Sequence, residues 1–444
     1  MRSVSCFLIL LFVCGAAGAQ IADLPDANIA GIPVNYTEAK VGQYTLPEVL
    51  KLANGQPVRD AATWLEKRRP ELVKLFEENQ YGRVPATAPK VTWQVVSTDA
   101  NALGGTAIMK QLAGHMGTPD GPAIAVTLYT PAKAAKPVPI LVSIGFGSGA
   151  GGRGRGRGVG ATNVPPANVM AQTAATAPAN TAATPRGAGR GPMAMRGTPA
   201  ELISNGFGYA TIAYGSIETD VEGQANSNLA RKLALAPGQT APAADEWGAI
   251  AAWAWGISRF VDYLETDPAV DAKRIAITGV SRLGKTVLWA GASDPRIALV
   301  IASCSGEGGA ALSRRNYGET IKHLTVPTRY PYQFCGNYAK WADKVNEFPV
   351  DAHELVALIA PRPVLLQTGN TDNWSDPYGE FLAAVAAGPV YKLLGKQGLD
   401  ADKLPAAGEP ILHTIGYVMH NGGHGTVPSD WDVYLKFMKM HLQP

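Results

Sequence analysis

Ser281 stands in "ITGVSRLGK", residues 277–285, where an apolar run meets a helical pattern. A serine at such a junction can act as a nucleophile if a sharp turn holds its hydroxyl out at the end of a strand. That turn needs small residues beside the serine, and Gly279 supplies the first. The second usually stands two places after the serine; here it is Gly284, three places after. Taken alone, the stretch suits a nucleophile or a helix-capping serine equally well. Two cations follow. Arg282 opens the helix, and Lys285 lies one turn further along the face that carries Ser281. The Arg282 backbone N–H and its guanidinium can both aim at an oxyanion. A polar, oxygen-rich acyl group gives such cations a purpose. The plainer alternative is a surface ion pair of Arg282 or Lys285 with Asp294.

A serine nucleophile needs a base and an acid to orient it. His424, in "MHNGGHG", follows the last apolar run and precedes the last helical pattern, and the glycines beside it let the loop swing an imidazole toward the serine. His420 adjoins the apolar strand end and is expected to be structural. Two carboxylates compete for the acid. Asp372, in "GNTDNW", follows the next-to-last strand, and Glu307, in "SCSGEGG", follows the strand after the nucleophile helix. Either can hold the imidazole in the required tautomer, and Asp372 is favoured. The order serine, acid, histidine, each on a loop after a strand, is that of the α/β-hydrolases.

The elements needed to position these loops are legible along the chain. "DAATWLEKRRPELVKLFEENQYGRVP" carries Trp64, Leu72, Val73 and Phe76 at helical spacing, with Asp60 as N-cap and Pro85 as stop. "KVTWQVVST" and "AIAVTLYTP" read as strands, and "VPILVSIGFGSG" as a strand buried on both faces. From "GFGYATIAYGSIE" onward, strands and helices alternate to the closing helix "SDWDVYLKFMKMHL". That alternation predicts an α/β fold with a mostly parallel sheet between two helical layers. Right-handed crossovers then gather the post-strand loops on one edge.

Composition frames the rest. The chain has 444 residues, 46% hydrophobic and 17% charged, which is globular, and its net charge of +3 gives no reason to expect nucleic acid or an acidic membrane as partner. "MRSVSCFLILLFVCGAAGAQ" has the pattern of a secretory signal over residues 1–19, with cleavage expected before Gln20; its apolar run is too short to span a bilayer. Residues 20–444 are expected to form one catalytic domain with an N-terminal extension over 20–105. A Gly/Ala/Arg-rich insertion over 147–199 reads as a surface segment without a core of its own. After removal of the signal, Cys304 and Cys335 remain; in an exported protein a bridge between them is expected.

With these residues assembled, the chain resembles the glucuronoyl esterases, a family of carbohydrate esterases, and especially their bacterial members. The likeness runs through "WLEKRRPELVKLFEENQYGRVP", "GVSRLGKTVLWAGASDPR", "GGAALSRRNYGE", "FPVDAHELVALIAPRPVLL", "DNWSDPYGEF" and the His424 loop. The resemblance implies Ser281 as nucleophile, His424 as base and Arg282 as oxyanion stabiliser, with Lys285, Glu319 and Trp374 contacting a glucuronate ring. It also shows a departure. Family members often carry the triad glutamate where Cys304 stands, and many bacterial ones carry a cysteine where Glu307 stands. The exchange shifts the expected acid to Asp372 and leaves Glu307 as its rival.

The resemblance implies a serine esterase that needs no metal or cofactor; the signal pattern places it as secreted or periplasmic, and a monomer is expected. Its substrate would be a (4-O-methyl-)glucuronate ester of glucuronoxylan or of a lignin–carbohydrate cross-link. The alternatives are an acetyl xylan esterase and a carbohydrate-binding relative that has lost catalysis.

Overall fold

The computed structural model describes residues 20–145, 197–221 and 229–443. The expected signal segment and nearly all of the 147–199 insertion lie outside the described residues.

A ten-stranded sheet organises the chain. Its strands are β1 (Val91–Asn101), β2 (Ala107–Met116), β3 (Ala123–Pro131), β4 (Val138–Gly145), β5 (Gly208–Ala213), β6 (Val270–Val280), β7 (Ile297–Ser303), β8 (Val364–Gly369), β9 (Ile411–Leu412) and β10 (Ile415–His420). Across the sheet they run β9-β10-β8-β7-β6-β4-β5-β3-β2-β1. The six strands from β10 to β5 are mutually parallel, while β9 and the β3-β2-β1 meander pair antiparallel. Helices α1 (Ala249–Leu264), α2 (Arg282–Ser293), α3 (Pro377–Leu393) and α4 (Pro428–Leu442) follow the pattern read from the sequence. This is the α/β-hydrolase arrangement.

The central strands read as unbroken apolar runs because both faces are covered. Alternate residues feed opposite layers. Ile277 and Val300 join the core beneath α1 and α2, with Trp253 and Trp289. Ala276, Leu299 and Ile301 join the layer closed by Tyr434, Phe437 and Met438 of α4.

The N-terminal region adds to the first core rather than building another. Residues 61–81 are helical, with two π turns, and the Asp60 side chain caps the start by accepting from Thr63 N at 2.7 Å. The helix ends at Gly82, before the expected stop at Pro85, because Gly82 turns to φ 87°, and the backbone of Glu246 leaves no room for a side chain there. Tyr81 stacks on Trp289 of α2 with ring centroids 4.7 Å apart. Such a contact contributes about 0.5–1.5 kcal/mol beyond burial and ties this region to α2. Strand β2 was not legible: Lys110, Gln111, Gly114 and His115 blur its alternation.

Candidate active site

Ser281 caps the turn between β6 and α2 with φ 62° and ψ −125°. A non-glycine residue held there carries about 1–3 kcal/mol of strain, the mark of a turn built to present its side chain. Its N–H donates to Ser303 O at 2.8 Å, which pins the turn to the end of β7. The two glycines follow from packing. A Cβ at Gly279 would collide with the Leu283 carbonyl in the first turn of α2, and one at Gly284 would lie 2.7 Å from Ser303 O. Gly284 stands three places after the serine because that is where α2 crosses the exit of β7.

Sheet register brings the partners in. Val280 of β6 pairs with Ser303 of β7, Ser303 with Gln367 of β8, and Gln367 with Val418 of β10. The loops carrying Ser281, Cys304, Asp372 and His424 therefore leave one sheet edge side by side. The last two loops are stitched together: Thr371 N donates to Gly422 O at 3.0 Å, and Gly422 N to Asn370 Oδ1 at 2.9 Å. His424 Nδ1 lies 2.8 Å from Asp372 Oδ2, and 3.3 Å from Ser375 Oγ. The Asp372 side chain is buried and the His424 side chain is 44% exposed. His420 is engaged elsewhere, by Asp430 and by Gly423 O, each at 2.9 Å.

Glu307 lies away from the imidazole. Its Oε1 accepts from Ser313 Oγ at 2.7 Å and Tyr338 OH at 2.9 Å. Burial pushes its carboxyl up to about 8, so it sits in the core as a neutral acid near pH 7. Cys304 takes the inner place instead. Its sulfur, an Asp372 oxygen and a His424 nitrogen all lie within 4.8 Å of one another. The expected Cys304–Cys335 bridge is not formed. Both thiols are free and buried, Cys304 against Gly425 and Cys335 over the carbonyl of Glu78. Sequence spacing could not show that one of them faces the imidazole loop.

The cations do not pair with Asp294, which is held by Arg296 at 2.7 Å. Arg282 is tethered to Asp220 and stacks over Tyr330 at 5.1 Å. Asp220 is itself fixed by Tyr332 OH at 3.0 Å and Gln333 Nε2 at 2.9 Å. Lys285 is buried with its Nζ 3.9 Å from Glu319. Burial pulls its pKa down, and the Glu319 carboxylate opposes that shift.

A family model described as glucuronyl esterase, fungi, matches residues 240–395. The 4-O-methyl-glucuronoyl methylesterase 1 of Wolfiporia cocos is 38% identical over 154 residues, 33% of this chain and 38% of that one. A solved glucuronoyl esterase from Solibacter usitatus superposes with a TM-score of 0.77 at 42% identity, over 91% of this chain and 99% of that chain. A carbohydrate esterase from an unknown prokaryotic organism is 40% identical over 446 residues, 99% of this chain and 98% of that protein. The chain belongs to the glucuronoyl esterases. It is a carboxylic ester hydrolase, and hydrolysis of glucuronic acid esters is the activity this family supports.

Within this glucuronoyl esterase, Lys285, Glu319 and Trp374 come together around a residue the sequence did not single out. Arg329 donates to Glu319 at 3.0 Å and stacks over Trp374 at 5.1 Å and Tyr330 at 5.0 Å. Its Nε is buried without a hydrogen-bond partner among the described residues. Arg329 and Asp220 lie in irregular segments, where no periodicity marks a side chain as inward. Glu380 of α3 was also missed. It accepts from Gly306 N at 2.7 Å and Ser305 Oγ at 3.1 Å, behind the Cys304 loop, and burial pushes its carboxyl up to about 8. A surface cavity of about 740 Å³ lies between the Ala27–Val34 hairpin and residues 342–347, and Thr320, next to Glu319, is part of its lining.

Proposed function

We propose that the esterase cleaves esters of (4-O-methyl-)glucuronic acid, as in links between glucuronoxylan side chains and lignin alcohols, and that it acts after export. Ser281 Oγ attacks the uronate carbonyl while His424 Nε2 takes the hydroxyl proton. Asp372 holds Nδ1–H and stabilises the imidazolium. The backbone N–H of Arg282 and its guanidinium, held in place by Asp220, stabilise the tetrahedral oxyanion. Collapse expels the alcohol, which leaves with the proton from His424 and forms an acyl-enzyme. Water then attacks, His424 again acting as base, and glucuronate is released. Neither step calls for a metal or cofactor.

The observation that carries this reading is the 2.8 Å contact of His424 with Asp372, at the same sheet edge as the strained Ser281 turn. The choice of a uronate rests on Lys285, Glu319, Arg329 and Trp374: two cations, a carboxylate and an aromatic face suited to sugar hydroxyls and a pyranose ring. The test compares benzyl glucuronate with a small aryl acetate. Lys285→Ala is expected to raise KM for the glucuronate ester about tenfold or more, the loss of one charge-assisted hydrogen bond, and to spare the acetate. Equal losses on both esters would remove the recognition role. Cleavage of acetylated xylan but not of glucuronate esters would favour an acetyl xylan esterase.

A further inference from the structure

We propose that Cys304, Asp372 and His424 form a binding site for a thiophilic divalent cation such as zinc, and that its occupancy switches the esterase off. The binding half stands on geometry alone; the inhibition half rests on the catalytic reading above. Three ligand atoms, one from each residue, lie within 4.8 Å of one another. Thiol sulfur, carboxylate oxygen and imidazole nitrogen are donors that zinc accepts, and three protein ligands leave a fourth position for water. Zinc bonds of about 2.0–2.3 Å put tetrahedral ligand atoms roughly 3.3–3.7 Å apart, so side-chain adjustments of about an ångström close the site. The His424–Asp372 edge, at 2.8 Å, needs only to open slightly.

Access and support are both present. The His424 side chain is 44% exposed, which gives the ion an entry path. Cys304 is held from behind, with Gly425 N–H donating to its sulfur at 3.4 Å. The Cys304 sulfur is a soft donor, which favours zinc over magnesium or calcium.

The proton balance explains the inhibition. The cation forms a bond to sulfur and displaces the thiol proton to solvent. It takes the Nδ1 lone pair, so the ring proton moves from Nδ1 to Nε2. One proton is released per ion. An imidazole protonated on Nε2 has no lone pair for the Ser281 proton, and Asp372 is occupied by the metal.

The full chain is titrated with Co²⁺ while the thiolate-to-cobalt charge-transfer absorption is followed, and activity is read with Zn²⁺ and again after EDTA. One Co²⁺ per chain is expected to raise that absorption, with one proton released and with displacement by Zn²⁺. At Zn²⁺ about ten times its Kd, activity is expected to fall about tenfold by occupancy and to return with chelator. Cys335→Ser should keep both responses. Cys304→Ser should lose the absorption, and its ratio of activity with and without metal should stay near one. If Cys304→Ser does not fold, Asp372→Asn is expected to weaken Co²⁺ binding about tenfold or more. Absence of the band in the native chain, its survival in Cys304→Ser, its loss in Cys335→Ser or unweakened binding by Asp372→Asn would overturn the site. A band with undiminished esterase activity would overturn the inhibition. A band in a folded chain that cleaves no glucuronate ester would overturn the catalytic reading and leave the metal site standing.

Discussion

His424 Nδ1 lies 2.8 Å from Asp372 Oδ2, across 52 residues of sequence. The contact follows from β8 and β10 being parallel neighbours with Gly369 opposite His420, so that the two loops leave the sheet together. Asp372→Asn is expected to lower kcat by roughly two to four orders of magnitude, because an amide favours the wrong imidazole tautomer. Glu307→Gln should stay within a few-fold of wild type, since Glu307 serves Ser313 and Tyr338 instead. Steady-state kinetics on a glucuronate ester checks both. A larger loss for Glu307→Gln would reverse the assignment.

Arg282 offers a second test. Asp220 and the Tyr330 ring hold its guanidinium before substrate arrives. Arg282→Ala is expected to cost about 10²–10³ in kcat with a smaller change in KM, as for loss of an oxyanion donor. Asp220→Asn should fall between the two, because the guanidinium stays but loses its charged tether. An unchanged kcat in Arg282→Ala would leave the oxyanion to backbone donors.

The fold was legible where periodicity is strong and the site where topology is strong. The apolar runs at Ile277, Leu299 and Leu365 announce buried parallel strands, and loop order alone placed Ser281, Asp372 and His424. What stayed hidden depends on three-dimensional approach. Arg329 sits in "VPTRYPYQ", a segment without period, and reaches Glu319 only because the chain folds back. Sequence order could not show which carboxylate meets the imidazole: Asp372 lies against His424, while Glu307 turns to Ser313 and Tyr338. The expected disulfide failed because cysteine count carries no direction.

Buried acids set the pH response of stability. Burial raises Glu307 and Glu380 from 4.5 to about 8. Between those values the unfolded chain has lost protons that the folded chain keeps, so stability falls as pH rises. Each group contributes a slope of up to about 1 kcal/mol per pH unit across that window. The buried His323, lowered from 6.5 to about 4, opposes this trend below that range, so thermal unfolding followed from pH 6.5 to roughly pH 8 should show a declining Tm. Glu380→Gln, which keeps the contacts to Ser305 and Gly306 without a titrating proton, should flatten the decline. A Tm that rises across this window in both proteins would contradict it.

The central claim is that Ser281 attacks a glucuronate ester. The direct measurement is release of glucuronic acid from benzyl glucuronate by the native chain and by Ser281→Ala, with circular dichroism confirming that both are folded. Release by the native chain, and a loss of about 10⁴-fold or more in the variant, is the expected result. Equal release by both would contradict Ser281 as the nucleophile, and no release by either would contradict the uronate ester as substrate.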